Sequence, residues 1–373
     1  MAELVAIDHP GGPAFVEAVR RVWDRGDAVM ALDQRLPLGA QQRVLRALRP
    51  TRVLDADGER SLDGDPVEPG DALVMPTSGS TGTPKGVVHT HAGLVASAHA
   101  GNARLGTTTD DHWLACLPLA HIGGFTVITK ALFSGAGLTV LPRFDVDAVT
   151  AAADHGATMV SLVPTALRRI DPAAFRIVLL GGSRPPTERP ANVIATYGST
   201  ETGSGVVYDG RPLDSVEIRV ADDGEILVRG PMLMRGYRDG TTAIDADSWL
   251  HTDDLGAWTA DGRLQVDGRR GDMIVSGGEN IWPDAVERVL ATDPDVAEVA
   301  VAGVSDPEWG QRVTAWVVPV DAERPPAPEQ LRALVADRLA PFMAPKRIHV
   351  VADLPRTPLG KVVRAALVEP PTN

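Results

Sequence analysis

The stretch 77-TSGSTGTPKG-86 puts three glycines, five hydroxyl side chains and one lysine into ten residues, a composition that neither a helix nor a strand favours. Just before it, the apolar run 72-ALVM-75 ends at Pro76; after it, the segment from His89 to Leu105 carries a helix that Thr90 can cap. The run therefore reads as a loop between a strand and a helix. Such a loop suits an anion, because glycines let backbone N–H groups converge, hydroxyls add donors and Lys85 supplies a point charge. It is not a Walker A loop: Lys85 follows Pro84 and precedes Gly86, so no hydroxyl stands beside the lysine to hold magnesium. A metal accompanying a nucleotide needs its ligand elsewhere in the chain. A flexible Gly/Ser linker would not require Thr-Pro-Lys-Gly at its end.

The 373 residues suit a large domain and a small one, and 44% hydrophobic residues give ample material for a core. A net charge of -13 without clustered Lys/Arg argues against a nucleic-acid partner. No basic-then-apolar leader and no uncharged bilayer-length run is present, so the expectation is a cytoplasmic protein with no membrane span. The single cysteine, Cys116, lies in the apolar run 113-WLACLPL-119 and reads as a buried packing residue. Intrachain disulfides and a Cys-rich zinc site are excluded. Nearly all basic residues are arginine; the four lysines are Lys85, Lys130, Lys346 and Lys361.

From Asp71 to about Gly198 short apolar runs alternate with Ala-rich helical stretches. Strands are expected at Trp113 to Leu119, Leu138 to Leu141, Thr158 to Val163, Arg176 to Gly182 and Val193 to Gly198. That alternation predicts an α/β layer with a substantially parallel sheet. Hairpins follow, with Asp223-Gly224 and Asp261-Gly262 at their turns, which predicts a β subdomain. After 268-GRRGD-272 a separate α+β unit begins: Pro283 opens a helix, 296-VAEVAVAGV-304 and 312-RVTAWVVPV-320 alternate as strands, and 328-PEQLRALVADRL-339 is helical. The expected organisation is thus a large α/β domain, residues 1–268, with mixed sheets and a β subdomain, followed by a small α+β domain, residues 269–373.

Four further stretches carry chemistry. In 197-YGSTETG-203 a ring, hydroxyls and Glu201, a carboxylate able to hold magnesium, close a strand. In 249-WLHTDDLG-256 the acids Asp253 and Asp254 could accept ribose hydroxyls. An arginine, a hinge-like turn and a glycine pair share 268-GRRGDMIVSGGENIWP-283, and 355-PRTPLGK-361 sets a lysine on a Pro/Gly loop.

Taken in this order, the five stretches resemble the adenylate-forming superfamily of acyl-CoA synthetases, peptide-synthetase adenylation domains and luciferases, from about Asp71 to Val368. The form 276-SGGENIWP-283 is that of acyl-CoA synthetases. The resemblance implies ATP, Mg2+ and CoA as cofactor and co-substrates, and a small-molecule carboxylic acid as substrate. Thr77, Ser78, Ser80, Thr81, Thr83 and Lys85 match the mobile loop on the β- and γ-phosphates. Tyr197 matches the ring stacked on adenine, Thr200 a phosphate contact and Glu201 the magnesium ligand. Gly181, Gly182 and Ser183 match the turn beside adenine and acyl group, and His121 in 118-PLAHIGG-124 matches the gate of the acyl pocket. Asp254 and Arg269 match the pair on the ribose hydroxyls, Lys361 the lysine that stabilises adenylation, and Gly277 and Gly278 the loop along the pantetheine arm. Homodimerisation is a family-level expectation.

Two positions depart from the family pattern. Gly271 stands where an acidic or lysine hinge residue is usual, and Asp253 where glycine is usual. The phosphate loop begins after only 76 residues, which resembles the short actinobacterial o-succinylbenzoate-CoA ligase of menaquinone biosynthesis. A dianionic aromatic acid is then the expected substrate, with His121, Arg168 and Arg184 as unranked partners for its second carboxylate. The alternatives are a CoA ligase for another aryl or fatty acid, or a carrier-protein adenylation module.

Overall fold

The computed structural model describes residues 1–78, 84–182, 185–186, 188–356 and 362–369. The chain folds as two compact units, Met1–Arg219 with Leu227–His251, and Val220–Ile226 with Thr252–Asn373.

Two seven-stranded sheets organise the first unit. One runs in the order Gly236–Tyr237, Pro84–Thr90, Asp71–Ser78, Ala28–Ala31, Leu4–Ile7, Arg52–Asp55, Gly58–Ser61. Its central strands, Ala28–Ala31 and Leu4–Ile7, are parallel neighbours buried at every residue, as a sheet covered on both faces requires. The helix Pro13–Asp24 between them buries Phe15, Ala18, Val19 and Val22, one stripe at helical spacing.

The other sheet runs Arg211–Pro212, Ser204–Tyr208, Val193–Ser199, Ile177–Leu180, Met159–Leu162, His112–Ala115, Gly137–Val140. Its last five strands pair in parallel, as the alternating pattern predicts. The strand expected over Trp113 to Leu119 stops at Ala115, leaving Cys116 fully buried beyond its end. Desolvation pushes the Cys116 thiol up to about 12, so it is a packing residue and not a nucleophile.

Residues 77–86 do not lead from a strand directly into a helix. The chain leaves Asp71–Ser78 and returns as a second strand, Pro84–Thr90, antiparallel to the first, before the helix His91–Leu105 begins. Val87 and Val88 pair with Met75 and Val74, so Pro84–Gly86, read as the end of the loop, and His89–Thr90, read as the start of the helical segment, belong to a strand. Thr90 caps the helix as expected, accepting the Gly93 N–H at 3.0 Å.

Strands Glu217–Val220, Glu225–Arg229, Leu250–Trp258 and Leu264–Arg269 form a four-stranded sheet in that order. Both expected turns are present, with Gly224 at φ 84° and Gly262 at φ 72°. In the second unit, Glu279–Ile281, Ile274–Ser276, Gly310–Pro319 and Val296–Asp306 form a sheet in that order, and Arg347–Val350 pairs with Gly310–Pro319. Helices Pro283–Leu290 and Pro328–Arg338 cover it through Val286, Leu290, Leu331 and Val335 over Ile274, Val301, Val313 and Val317.

Candidate active site

Pairing fixes the base of the phosphate loop: Thr77 lies opposite Lys85 and Ser78 opposite Pro84, and the Thr77 hydroxyl donates to the Lys85 carbonyl at 3.3 Å. Ser80, Thr81 and Thr83 lie outside the described residues, as do Ser183, Arg184 and Lys361. The Lys85 ammonium stands 4.9 Å from the centre of the Tyr237 ring, and the Tyr237 hydroxyl donates to Glu201 Oε1 at 3.2 Å. Lysine, ring and carboxylate thus form a chain that the sequence reading missed. Tyr237 enters because Gly236–Tyr237 pairs with Val87 and Val88. No motif in the sequence marks that pairing.

The Thr200-Glu201 turn is braced from below. His89 is fully buried on the loop's outgoing strand, and its Nε2 lies 2.8 Å from the Thr200 carbonyl oxygen, which it meets as a donor. Burial pushes the imidazole down to about 4, against the raising effects of the Thr200 contact and the Glu201 charge, so it is neutral at pH 7. The Met234 N–H donates to the Glu201 carbonyl, while the buried Thr202 hydroxyl bonds Ser199 and Ser204. Beside the turn, a bulge separates Tyr197 from Gly198, and a Cβ on Gly198 would meet the Ser204 carbonyl oxygen at 2.1 Å. Only glycine permits that approach near the end of the strand Val193–Ser199. Gly181 follows Ile177–Leu180, its N–H bonded to Leu162, and Gly182 turns with φ 82°.

Among the described residues no cluster of three or more His, Cys, Asp or Glu could hold a metal ion. A single carboxylate beside a phosphate loop fits Mg2+, which keeps most of its waters and takes substrate phosphates as ligands. Glu201, with one oxygen accepting from the Tyr237 hydroxyl, is a carboxylate of that kind.

His121 precedes the helix Ile122–Ser134, and its Nε2 lies 3.1 Å from Arg35 Nη2 and 3.5 Å from Asp33 Oδ2. Burial would raise Asp33, but hydrogen bonds from Arg35 and His121 outweigh it and hold this carboxyl well below the usual range. Nine residues along the same helix, Lys130 is 2% exposed and faces the Ser204 hydroxyl at 3.5 Å. Desolvation pushes its ammonium down to about 8. Among the described residues no carboxylate pairs with it, which is rare for a buried lysine. Arg168 follows the short helix Pro164–Leu167.

In the second unit Asp254 and Arg269 are cross-strand partners at the start of one strand's ladder and the end of the other's. Asp253 has φ 58°, the left-handed region, and its N–H donates to Glu225 Oε1. That conformation explains why glycine is the usual residue there, and aspartate is among the residues that tolerate it. Gly277 and Gly278 turn with φ 61° and 86°; the Gly277 N–H donates to the Trp309 carbonyl, and the Trp309 ring lies where a Cβ on Gly277 would meet it at 3.0 Å. Lys346 sits 3.6 Å above that ring.

Residues 41–238 match the family model described as AMP-binding enzyme, and residues 285–361 match AMP-binding enzyme C-terminal domain. The chain is 40% identical over 365 residues to a Mycobacterium tuberculosis protein named probable 2-succinylbenzoate--CoA ligase, covering 89% of this chain and 94% of that one. A Bacillus cereus 2-succinylbenzoate--CoA ligase is 35% identical over 334 residues, covering 79% and 69%. The fold superposes on Bacillus subtilis o-succinylbenzoate CoA synthetase with its acyl-adenylate intermediate, at TM-score 0.87 and 30% identity, covering 99% of this chain and 88% of that one. The same enzyme with ATP and magnesium ion gives TM-score 0.85. The match to both family models, together with the loop, turn and strand-pair geometry described above, shows that the chain belongs to the AMP-binding enzyme family.

Proposed function

We propose that the protein is an ATP-dependent, AMP-forming carboxylate–CoA ligase that converts 2-succinylbenzoate to its CoA thioester, in menaquinone biosynthesis. The observation that carries the reading is the Lys85–Tyr237–Glu201 chain, which gathers a cation, a ring and a carboxylate beside the base of a Gly/Ser/Thr loop. The likeness to 2-succinylbenzoate–CoA ligases supports the choice of acid.

In the first half-reaction a substrate carboxylate oxygen attacks the α-phosphorus of ATP and pyrophosphate leaves. Negative charge grows on the phosphate oxygens, where Lys85 and Lys361 neutralise it. Thr77, Ser78, Ser80, Thr81 and Thr83 donate to the β- and γ-phosphates, and Thr200 to the α-phosphate. Tyr197 stacks on adenine, against the Gly181-Gly182-Ser183 turn, and Asp254 with Arg269 takes the ribose hydroxyls. Glu201 would hold Mg2+, which when bound supplies electrostatic stabilisation to the phosphates. In the second half-reaction the CoA thiol attacks the acyl carbonyl and AMP leaves. Residues 269–373 act as the moving body, withdrawing Lys361 and bringing up the Gly277-Gly278 loop, with Trp309 and Lys346 beside it.

A second carboxylate needs a cation out of water. Lys130 meets that need, on the helix His121 introduces, with its charge unpaired by any carboxylate among the described residues. Arg35, held at His121, is the nearer cation to the gate itself. Homodimerisation belongs to the same proposal and is read by light scattering.

The test is pyrophosphate release with ATP and Mg2+ across 2-succinylbenzoate, benzoate, medium-chain fatty acids and amino acids, with and without CoA. CoA-dependent turnover on 2-succinylbenzoate well above that on every other acid is the expected result. Faster turnover on another acid overturns the substrate, and adenylation without any CoA dependence overturns the ligase in favour of a carrier-protein module.

A further inference from the structure

Ser204 has φ 128°. The five other non-glycine residues with positive φ among those described lie between 45° and 67°, close to the left-handed helical region; Ser204 lies well outside it, at a φ that L side chains rarely adopt. Its backbone is set from the phosphate side. It is the cross-strand partner of Ser199, and its carbonyl accepts the Thr202 hydroxyl at 2.7 Å, just after the turn that carries Thr200 and Glu201. A glycine would make each of those backbone contacts without strain, so the turn does not explain the side chain.

The hydroxyl meets a different element, the helix Ile122–Ser134. Thr126 Oγ1 lies 3.2 Å from Ser204 Oγ and 2.7 Å from the Ile122 carbonyl oxygen. A threonine hydroxyl has one hydrogen, and the shorter contact takes it. Ser204 therefore donates to Thr126 and leaves its lone pairs to the Lys130 ammonium, one helical turn further on, at 3.5 Å. The chain runs from ammonium through two hydroxyls to the carbonyl of the residue that follows His121.

The rest of the lysine is fixed as well. Its Cε passes so near Gly101 that a Cβ there would stand 3.2 Å from it, and the Asn102 side-chain amide donates to the Lys130 carbonyl at 2.9 Å. Among the described residues, Ser204 is the one side chain that the ammonium meets. At 3.5 Å that contact is at the outer limit of a hydrogen bond, so it aims the charge without satisfying it.

We propose that Ser204 is a positioning residue that aims Lys130 at the second carboxylate of the acid, and so sets the preference for a dianionic substrate. This rests on the reading of Lys130 given above and extends it. One residue serves two elements: its backbone follows the Thr200-Glu201 turn while its side chain reaches the helix, and the strained φ is the result. Serine is kept there for its hydroxyl.

The experiment is steady-state pyrophosphate release with 2-succinylbenzoate and ATP varied in turn. Ser204→Ala removes the hydroxyl and keeps the strained backbone; Ser204→Gly removes both. Each raises KM for 2-succinylbenzoate about five- to tenfold, the low end for a hydrogen bond to a charged group because it acts through the lysine, with kcat and KM for ATP within about threefold. In a Lys130→Met background neither raises KM for the acid further by more than about twofold. Calorimetry separates backbone from side chain: Ser204→Gly melts above Ser204→Ala, the reverse of the order at an unstrained position. A hydroxyl that only fills space beside the turn would move KM for ATP as much as KM for the acid. That result overturns the proposal, as do an unchanged KM for the acid, a full further loss in the Lys130→Met background, or Ser204→Ala melting above Ser204→Gly. Should Ser204→Ala not fold, the kinetics of Ser204→Gly decide alone. Failure of the underlying reading is distinct: the unmodified protein then shows no turnover on 2-succinylbenzoate, or Lys130→Met leaves KM for it unchanged.

Discussion

Asp254 and Arg269 stand directly opposite each other across the pair Leu250–Trp258 and Leu264–Arg269, although fourteen residues and a tight turn separate them in sequence. Two strands thus hold an acceptor and a donor at one end of a ladder, a rigid mount that the proposed ligase would turn to the ribose diol. Asp254→Ala should raise KM for ATP by about 10- to 100-fold, the worth of a charge-assisted hydrogen bond or two. The enzyme's preference for ATP over 2′- and 3′-deoxy-ATP should shrink in the same variant. Steady-state kinetics with the three nucleotides checks it; an undiminished preference would remove Asp254 from the ribose.

The neighbouring residue tests the backbone. With φ 58°, Asp253 occupies a conformation that costs an L-residue about 1 kcal/mol, less for aspartate than for most. Asp253→Gly relieves that strain, and the N–H that meets Glu225 is retained. The gain is partly offset by the freer unfolded chain, so the net expectation is about 0.5 kcal/mol of added stability. Differential scanning calorimetry would show it as a melting transition raised by roughly 1 to 2 °C. A lowered transition would mean that the Asp253 carboxylate stabilises the fold.

What the sequence made legible follows from the range over which its signals act. The parallel strands around Val160 and Val178 show as short apolar runs, the turns at Gly224 and Gly262 as Asp-Gly pairs, and the Thr90 cap as a hydroxyl before a helix. All are local. The return strand Pro84–Thr90 was missed because Pro84–Gly86 reads as the end of a loop and the residues from His89 on suit a helix, until tertiary pairing of Val87 and Val88 with Met75 and Val74 decides it. Tyr237 reaches Glu201 across 36 residues, and Arg35 reaches His121 across 86; no periodicity or spacing encodes such contacts. Lys130 was visible only as one of four lysines, since burial of a lysine inside an apolar helix looks in sequence like a single polar interruption.

His89 makes the first unit acid-sensitive. Its folded pKa is about 4, against 6.5 unperturbed, so between those values the unfolded chain binds the proton that the folded one refuses. Its contribution is fully present above pH 6.5 and is lost as pH falls toward 4, by up to a few kcal/mol. His89→Gln keeps a donor for the Thr200 carbonyl but has no proton to gain. Urea denaturation at pH 7 and pH 5 should show a smaller loss in this variant than in the unmodified protein; equal losses would assign the acid sensitivity to other groups.

Lys130 decides how the second carboxylate is read. Its ammonium sits in a buried site with a hydroxyl for company, so desolvation holds its pKa near 8, and a bound anion would restore the charge's stability. Lys130→Met removes the charge at nearly constant shape, and should raise KM for 2-succinylbenzoate by about 10- to 150-fold, the worth of a hydrogen bond to a charged group. Benzoate, with no second carboxylate, should be used as poorly as before and no worse. The pH dependence has a fixed sign: below about 8 the free enzyme carries the charge, and above it kcat/KM for the dianion should fall, approaching tenfold per pH unit, while any benzoate turnover lacks that step. In Lys130→Arg, whose guanidinium keeps its proton throughout, the alkaline fall should disappear even if the larger head binds less well. Equal KM changes for both acids would make Lys130 a packing residue of the helix rather than the partner of the second carboxylate.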